Sequence, residues 1–124
     1  MAEMTSKQIT SENSGLWLIK IITGLLIIVI LAIHLVVNHM LGTEGGLLTY
    51  ADVVAYYQNP IIPIMEAAFL ICVVSHCLIG LRSIIIDLHP SQKVLTNITW
   101  LLTALGAVSI VYGIWLLFAI VAQG

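Results

Sequence analysis

The chain is short of charge. Its 124 residues include four Lys and Arg and six Asp and Glu, 8% charged in all. No Lys or Arg stands between Lys20 and Arg82, and none follows Lys93. A soluble domain of this size must present a polar exterior to water. With 60% hydrophobic residues and a mean hydropathy of +1.12, this chain does not supply one. The net charge of −2, with only four Lys and Arg, gives no sign of a nucleic-acid partner. Cysteine is scarce too. Cys72 and Cys77 are five apart on what reads as one helix, with Cα atoms about 8–9 Å apart, beyond disulfide reach. Nothing matches a zinc or iron–sulfur spacing. No glycine-rich phosphate loop and no serine nucleophile elbow occurs.

What the chain has instead is apolar length. A membrane-spanning helix takes about 20 apolar residues. Three stretches qualify, at about residues 16–41, 61–86 and 94–121. Lone strands cannot satisfy their backbone in lipid, so each reads as a helix. The expected fold is an all-α membrane protein, three transmembrane helices within a larger bundle. Residues 1–15 form a polar arm and residues 16–124 the anchor domain, with Ser11 or Ser14 as the cap of the first helix. The first connection starts with glycines. It then reads as a short amphipathic helix whose tyrosines rest at the membrane surface. All four Lys and Arg residues lie before the first span, at its start, or around the connection between spans two and three. The positive-inside rule therefore places the N-terminus in the cytoplasm and the C-terminus outside a cell (plasma) membrane.

Four histidines are present: His34, His39, His76 and His89. An imidazole inside a span is costly unless something uses it. At about 1.5 Å rise per residue, His34 lies about 27 Å from the inner surface and His76 about 17 Å. Two axial imidazoles on one haem must share a depth. A gap of about 10 Å separates these two, so each would need a partner from another chain. Phe69, Cys72, His76, Gly80, Ser83 and Asp87 fall within about 40° of one line on the second span. Gly80, one turn after His76, leaves room for a flat ligand beside the imidazole. Thr23 and His34 share a face of the first span, and Gly24 beside them admits a neighbouring helix or ring. His39 reads as solvated and His89 as a boundary residue beside Pro90. Glu66 reads as a snorkelling or bundle-facing carboxylate.

These residues resemble a known family. His76-Cys-Leu-Ile-Gly80-Leu-Arg82-Ser-Ile-Ile-Ile-Asp87 is similar to the pattern His-x-x-x-Gly-x-Arg-x-x-x-x-Asp in the small membrane-anchor subunits of succinate dehydrogenase, with fumarate reductase as close kin. Trp17, Thr23-Gly24, His34 and Asn38 resemble the first span of anchors from two-subunit, two-haem complexes. The resemblance implies a cytochrome b anchor that works beside a second anchor, an iron–sulfur subunit and a flavoprotein subunit. It passes electrons between the iron–sulfur partner and quinone and has no catalytic residue of its own. It implies haem b on His76, a second haem on His34, and Gly80 and Arg82 in the cofactor site, Arg82 near propionates. It places Asp87 near the quinone site, and Ser83, on the His76 face near the same interface, would line that site with it. Two departures stand out. Arg82 points about 120° from His76 on an ideal helix. Leu88 occupies a position where several members have a tyrosine. The rival readings are a cytochrome b anchor of another quinone-linked dehydrogenase and a haem-free structural anchor.

Overall fold

The computed structural model describes residues 13–40 and 48–124. Among them are four α-helices: α1 (Ser14–Leu35), α2 (Tyr50–Tyr57), α3 (Ile61–Asp87) and α4 (Gln92–Val121). A π-helical turn, Val36–Met40, continues α1. The three long helices are each long and apolar enough to cross a membrane, and no strand occurs among the described residues.

Local chemistry sets the boundaries. The cap of α1 is Asn13, whose Oδ1 accepts from the Gly15 N–H at 2.8 Å. Ser14 is therefore the first helical residue and not the cap; Ser11 lies outside the described residues. Asparagine caps as well as serine does, so its place just before the apolar run decides. A reciprocal capping box opens α2. Thr49 Oγ1 accepts from the Asp52 N–H, and the Asp52 carboxylate accepts from the Thr49 N–H. Hydrogen bonds from Thr49, its hydroxyl first and its backbone second, hold the Asp52 carboxyl below the usual carboxylate range. The expected short helix in the first connection is thus present. It is tied to the end of α4 by Tyr50 Oη donating to Gln123 Oε1 and Gln58 Nε2 donating to Val121 O.

His89 follows the C-cap of α3 with φ 53°, the left-handed conformation that reverses a chain after a helix. Pro90 prevents any continuation. His89 is a boundary residue, as its position beside Pro90 predicts. Ser91 then caps α4 through the Val94 N–H.

The helix α3 is the middle of the bundle, with α1 and α4 packed on it. Two glycines on one face of α4 receive its leucines. A Cβ at Gly106 would stand 2.7 Å from Leu78 Cδ1, and one at Gly113 would collide with Leu70. Small residues let membrane helices approach closely in this way. Of the large apolar side chains, Ile62, Ile86, Leu95 and Leu102 are buried, whereas most on α1 and α4 are exposed. A surface this apolar is covered by lipid or by other helices, not by water.

Candidate functional site

The face of α1 that carries Lys20, Thr23, Gly24 and His34 meets the face of α3 that carries Glu66, Phe69, His76 and Ser83. The meeting produces two polar layers inside an otherwise apolar interface.

The first layer is built around His76. Its Nδ1 lies 3.0 Å from the backbone oxygen of Lys20, with Thr23 Oγ1 at 3.4 Å. A carbonyl oxygen only accepts, so Nδ1 carries the proton and donates. In the neutral ring the lone pair then sits on Nε2. The ring rests against Gly24, where a Cβ would stand 3.0 Å from His76 Cε1. Gly24 therefore admits a ring, and that ring is the imidazole of its own chain. Gly80 opens elsewhere, since a Cβ there would meet nothing within 4 Å among the described residues. Beside this layer Lys20 Nζ donates to Ser83 Oγ at 2.9 Å, and Ser83 Oγ donates to Ile79 O at 3.0 Å. Lys20 thus serves the layer twice, through its carbonyl and through its ammonium.

In the second layer, His34 Nδ1 lies 2.8 Å from Glu66 Oε1, and both side chains are largely covered. Phe69 stacks on the imidazole with ring centroids 5.6 Å apart. Glu66 is the bundle-facing carboxylate, with His34 as its partner. A cavity of about 400 Å³ runs from Glu66 to Tyr57 between α3 and α4. Burial first, then the Glu66 charge and Tyr56, push the Tyr57 hydroxyl up to about 12. Burial and then Glu66 also raise Tyr56, whose hydroxyl has no hydrogen-bond partner among the described residues.

The two layers are well separated. His34 meets α3 at Phe69 and Glu66, seven and ten residues before His76, or about 10–15 Å along the axis. The register agrees with the separation expected from depth alone.

The remaining candidates scatter. Arg82 turns to α4, where its Nε donates to Thr99 Oγ1 at 3.1 Å. It does not join His76, as the 120° offset foretells. Asp87 is exposed at the end of α3, one turn beyond Ser83. His39 is exposed in the π-helical turn. Cys72 and Cys77 are both free thiols. Among the described residues no group of three or more His, Cys, Asp or Glu could hold a bare metal ion.

Sequence reasoning missed Lys20 as a site residue, because a lysine at the start of a span reads as an interfacial charge. The signal was there: Lys20 lies three and four residues before Thr23 and Gly24, on their face. It also missed the His34–Glu66 pair. Depth arithmetic could have found it, since Glu66 lies about 31 Å from Asp87, close to the 27 Å of His34.

Comparison with known proteins gives the rest. The model of the family described as succinate dehydrogenase/fumarate reductase transmembrane subunit matches residues 5–114. A succinate dehydrogenase hydrophobic membrane anchor subunit from Archaeoglobus fulgidus is 34% identical over 120 residues, 97% of this chain and 100% of the relative. No solved structure matches. The family match and the relative both extend over nearly the whole chain, and the chain belongs to the transmembrane-subunit family of succinate dehydrogenase and fumarate reductase, as a multi-pass membrane anchor of that enzyme.

Proposed function

We propose that this anchor binds haem b through His76 Nε2 and completes a quinone site at the cytoplasmic end of α3, beside a second anchor subunit and the iron–sulfur and flavoprotein subunits. The observation that carries the reading is the hydrogen bond from His76 Nδ1 to Lys20 O. Metal-bound histidines usually donate their other ring N–H to a carbonyl or carboxylate, which fixes the tautomer and the ring orientation. Here that donation is made by an imidazole inside a span, with open space at Gly80 one turn away. The residues fit the group. A single imidazole holds iron only where the macrocycle brings its own four nitrogens, and the described residues contain no rival cluster.

His76 would hold the haem, which would supply a one-electron store. The chain orients the ligand: Lys20 O and Gly24 hold the imidazole in place. Among the described residues the Lys20 ammonium is the cation on this face, and it takes the propionate role in place of Arg82. Ser83 and Asp87 serve quinone reduction, which takes two electrons and two protons. Ser83 holds the Lys20 ammonium near the headgroup, and Asp87, exposed at the helix end, exchanges protons with the cytoplasmic solution. His34 holds a second haem in the outer half, with Glu66 as the acceptor that orients it. The N-terminus and the connection between α3 and α4 lie in the cytoplasm.

A haem-free structural anchor is the second reading. Its support is that both intramembrane histidines already bond within the chain. Potentiometric titration of the haem absorbance separates the two. Two waves are expected, with His76→Ala removing one and His34→Ala the other. A haem-free complex from replete cells establishes the structural reading. A single wave untouched by His34→Ala removes the second haem.

A further inference from the structure

Arg82 stands apart from the layer just described, and its surroundings suit a different ligand. Its Nε is held by Thr99, while its four Nη–H donors have no acceptor among the described residues. A cleft of about 440 Å³ opens beside it, walled mainly by α3 and α4 with Leu16 of α1 at its edge. Ser75, Thr99 and Thr103 line it with hydroxyls, and Leu78 and Leu102 form apolar walls. A smaller recess of about 210 Å³ also borders Arg82, lined by α4 from Gln92 to Trp100. Among the described residues no carboxylate lines either space. Along α4 the cleft runs from Thr99 to Ile110, eleven residues or about 16 Å. That is close to one leaflet of a hydrocarbon core about 30 Å thick.

We propose that this cleft is a binding site for an anionic phospholipid of the adjacent leaflet. Its phosphate lies on the Arg82 guanidinium, and one acyl chain runs down the cleft toward Ile110. The charge argues for it. At the headgroup boundary a guanidinium whose Nη–H donors meet no acceptor among the described residues suits an anion, and its planar fork matches a phosphate. The position agrees: Arg82 is five residues, about 8 Å, from the end of α3, and Lys93 is exposed at the start of α4. Basic clefts between membrane helices hold lipid headgroups in this manner. The proposal does not depend on haem at His76.

The test uses the assembled complex in nanodiscs of equal phosphatidylglycerol and phosphatidylcholine, with retained lipids counted by native mass spectrometry. Phosphatidylglycerol is expected to be retained preferentially. Arg82→Gln should reduce its retention about fivefold, the factor for one interfacial cation at about 1 kcal/mol. Arg82→Lys should restore most of it, and haem content should not change. Equal retention of both lipids by the native complex overturns the proposal, as does loss of haem in Arg82→Gln. If Arg82→Gln does not assemble, a photoactivatable phosphatidylglycerol on the native complex decides. Adducts between residues 99 and 110 support the site; label found elsewhere, or cross-links from this cleft to a partner subunit, refute it.

Discussion

Substituting Gly24 tests whether the seat of His76 sets its ligand geometry. A Cβ at position 24 would stand 3.0 Å from Cε1, 3.4 Å from Nδ1 and 3.9 Å from Nε2 of His76. Carbon atoms pack at about 3.5–4.0 Å, so Gly24→Ala pushes the ring back by about 0.5 Å. The bond from Nδ1 to Lys20 O then lengthens from 3.0 Å to about 3.5 Å, where little of it is left. Gly24→Val displaces the ring further and removes the bond. Loss of such an outer-shell partner weakens metal affinity about 10–100-fold, or about 1.4–2.7 kcal/mol. The assay is haem per flavin in the purified complex, with the haem potential alongside. Gly24→Ala should retain most of the haem with a shifted potential, and Gly24→Val should lose most of it. Gly80→Ala is the control, since its Cβ meets nothing within 4 Å among the described residues; haem loss there reports a ligand in that space. Native haem content and potential in Gly24→Val would refute the argument that the Lys20 carbonyl and the Gly24 seat orient the imidazole.

Three further outcomes are expected. Lys20→Met should impair quinone reduction and shift the potential of the His76 haem while succinate oxidation with a soluble acceptor persists; unchanged quinone kinetics and potential assign Lys20 to packing alone. Asp87→Asn should raise the apparent KM for quinone or slow its reduction, and unchanged kinetics in both Asp87→Asn and Ser83→Ala would remove α3 from the quinone site. Tyr57, held at about 12, should not ionise as pH passes 10, as followed by tyrosinate absorbance against Tyr57→Phe. Because the folded value lies above the unfolded one, the neutral phenol stabilises the fold below about pH 10, and that contribution fades between about 10 and 12. Glu66→Gln should lower the Tyr57 value only in part, since burial is the larger cause; a Tyr57 signal titrating at 10 in the native protein contradicts the burial.

The three spans were legible because lipid leaves few alternatives to apolar helices. Their ends were less so. Asn13, Ser11 and Ser14 cap about equally well, and nothing in Val36–Met40 announces a π-helical turn. The face of α3 was legible from helical periodicity, including the divergence of Arg82 from His76. The partners of that face were not, since they depend on the register between helices. A one-turn slide would set His76 against other groups of α1 and separate Lys20 from Ser83. Gly24, Gly106 and Gly113 settle that register by admitting a ring and two leucines, and sequence alone does not reveal which side chain each one admits. Lys20 was hidden for a related reason: its backbone carbonyl, which any residue has, makes the orienting contact.

The most direct measurement of the central claim is the reduced-minus-oxidised difference spectrum of the purified complex, with haem counted per flavin, in the native protein and in His76→Ala. The account predicts haem b in the native complex and loss of the His76-bound fraction in the variant, with flavin content and membrane assembly retained. Full haem content and an unchanged spectrum in an assembled His76→Ala complex would contradict it.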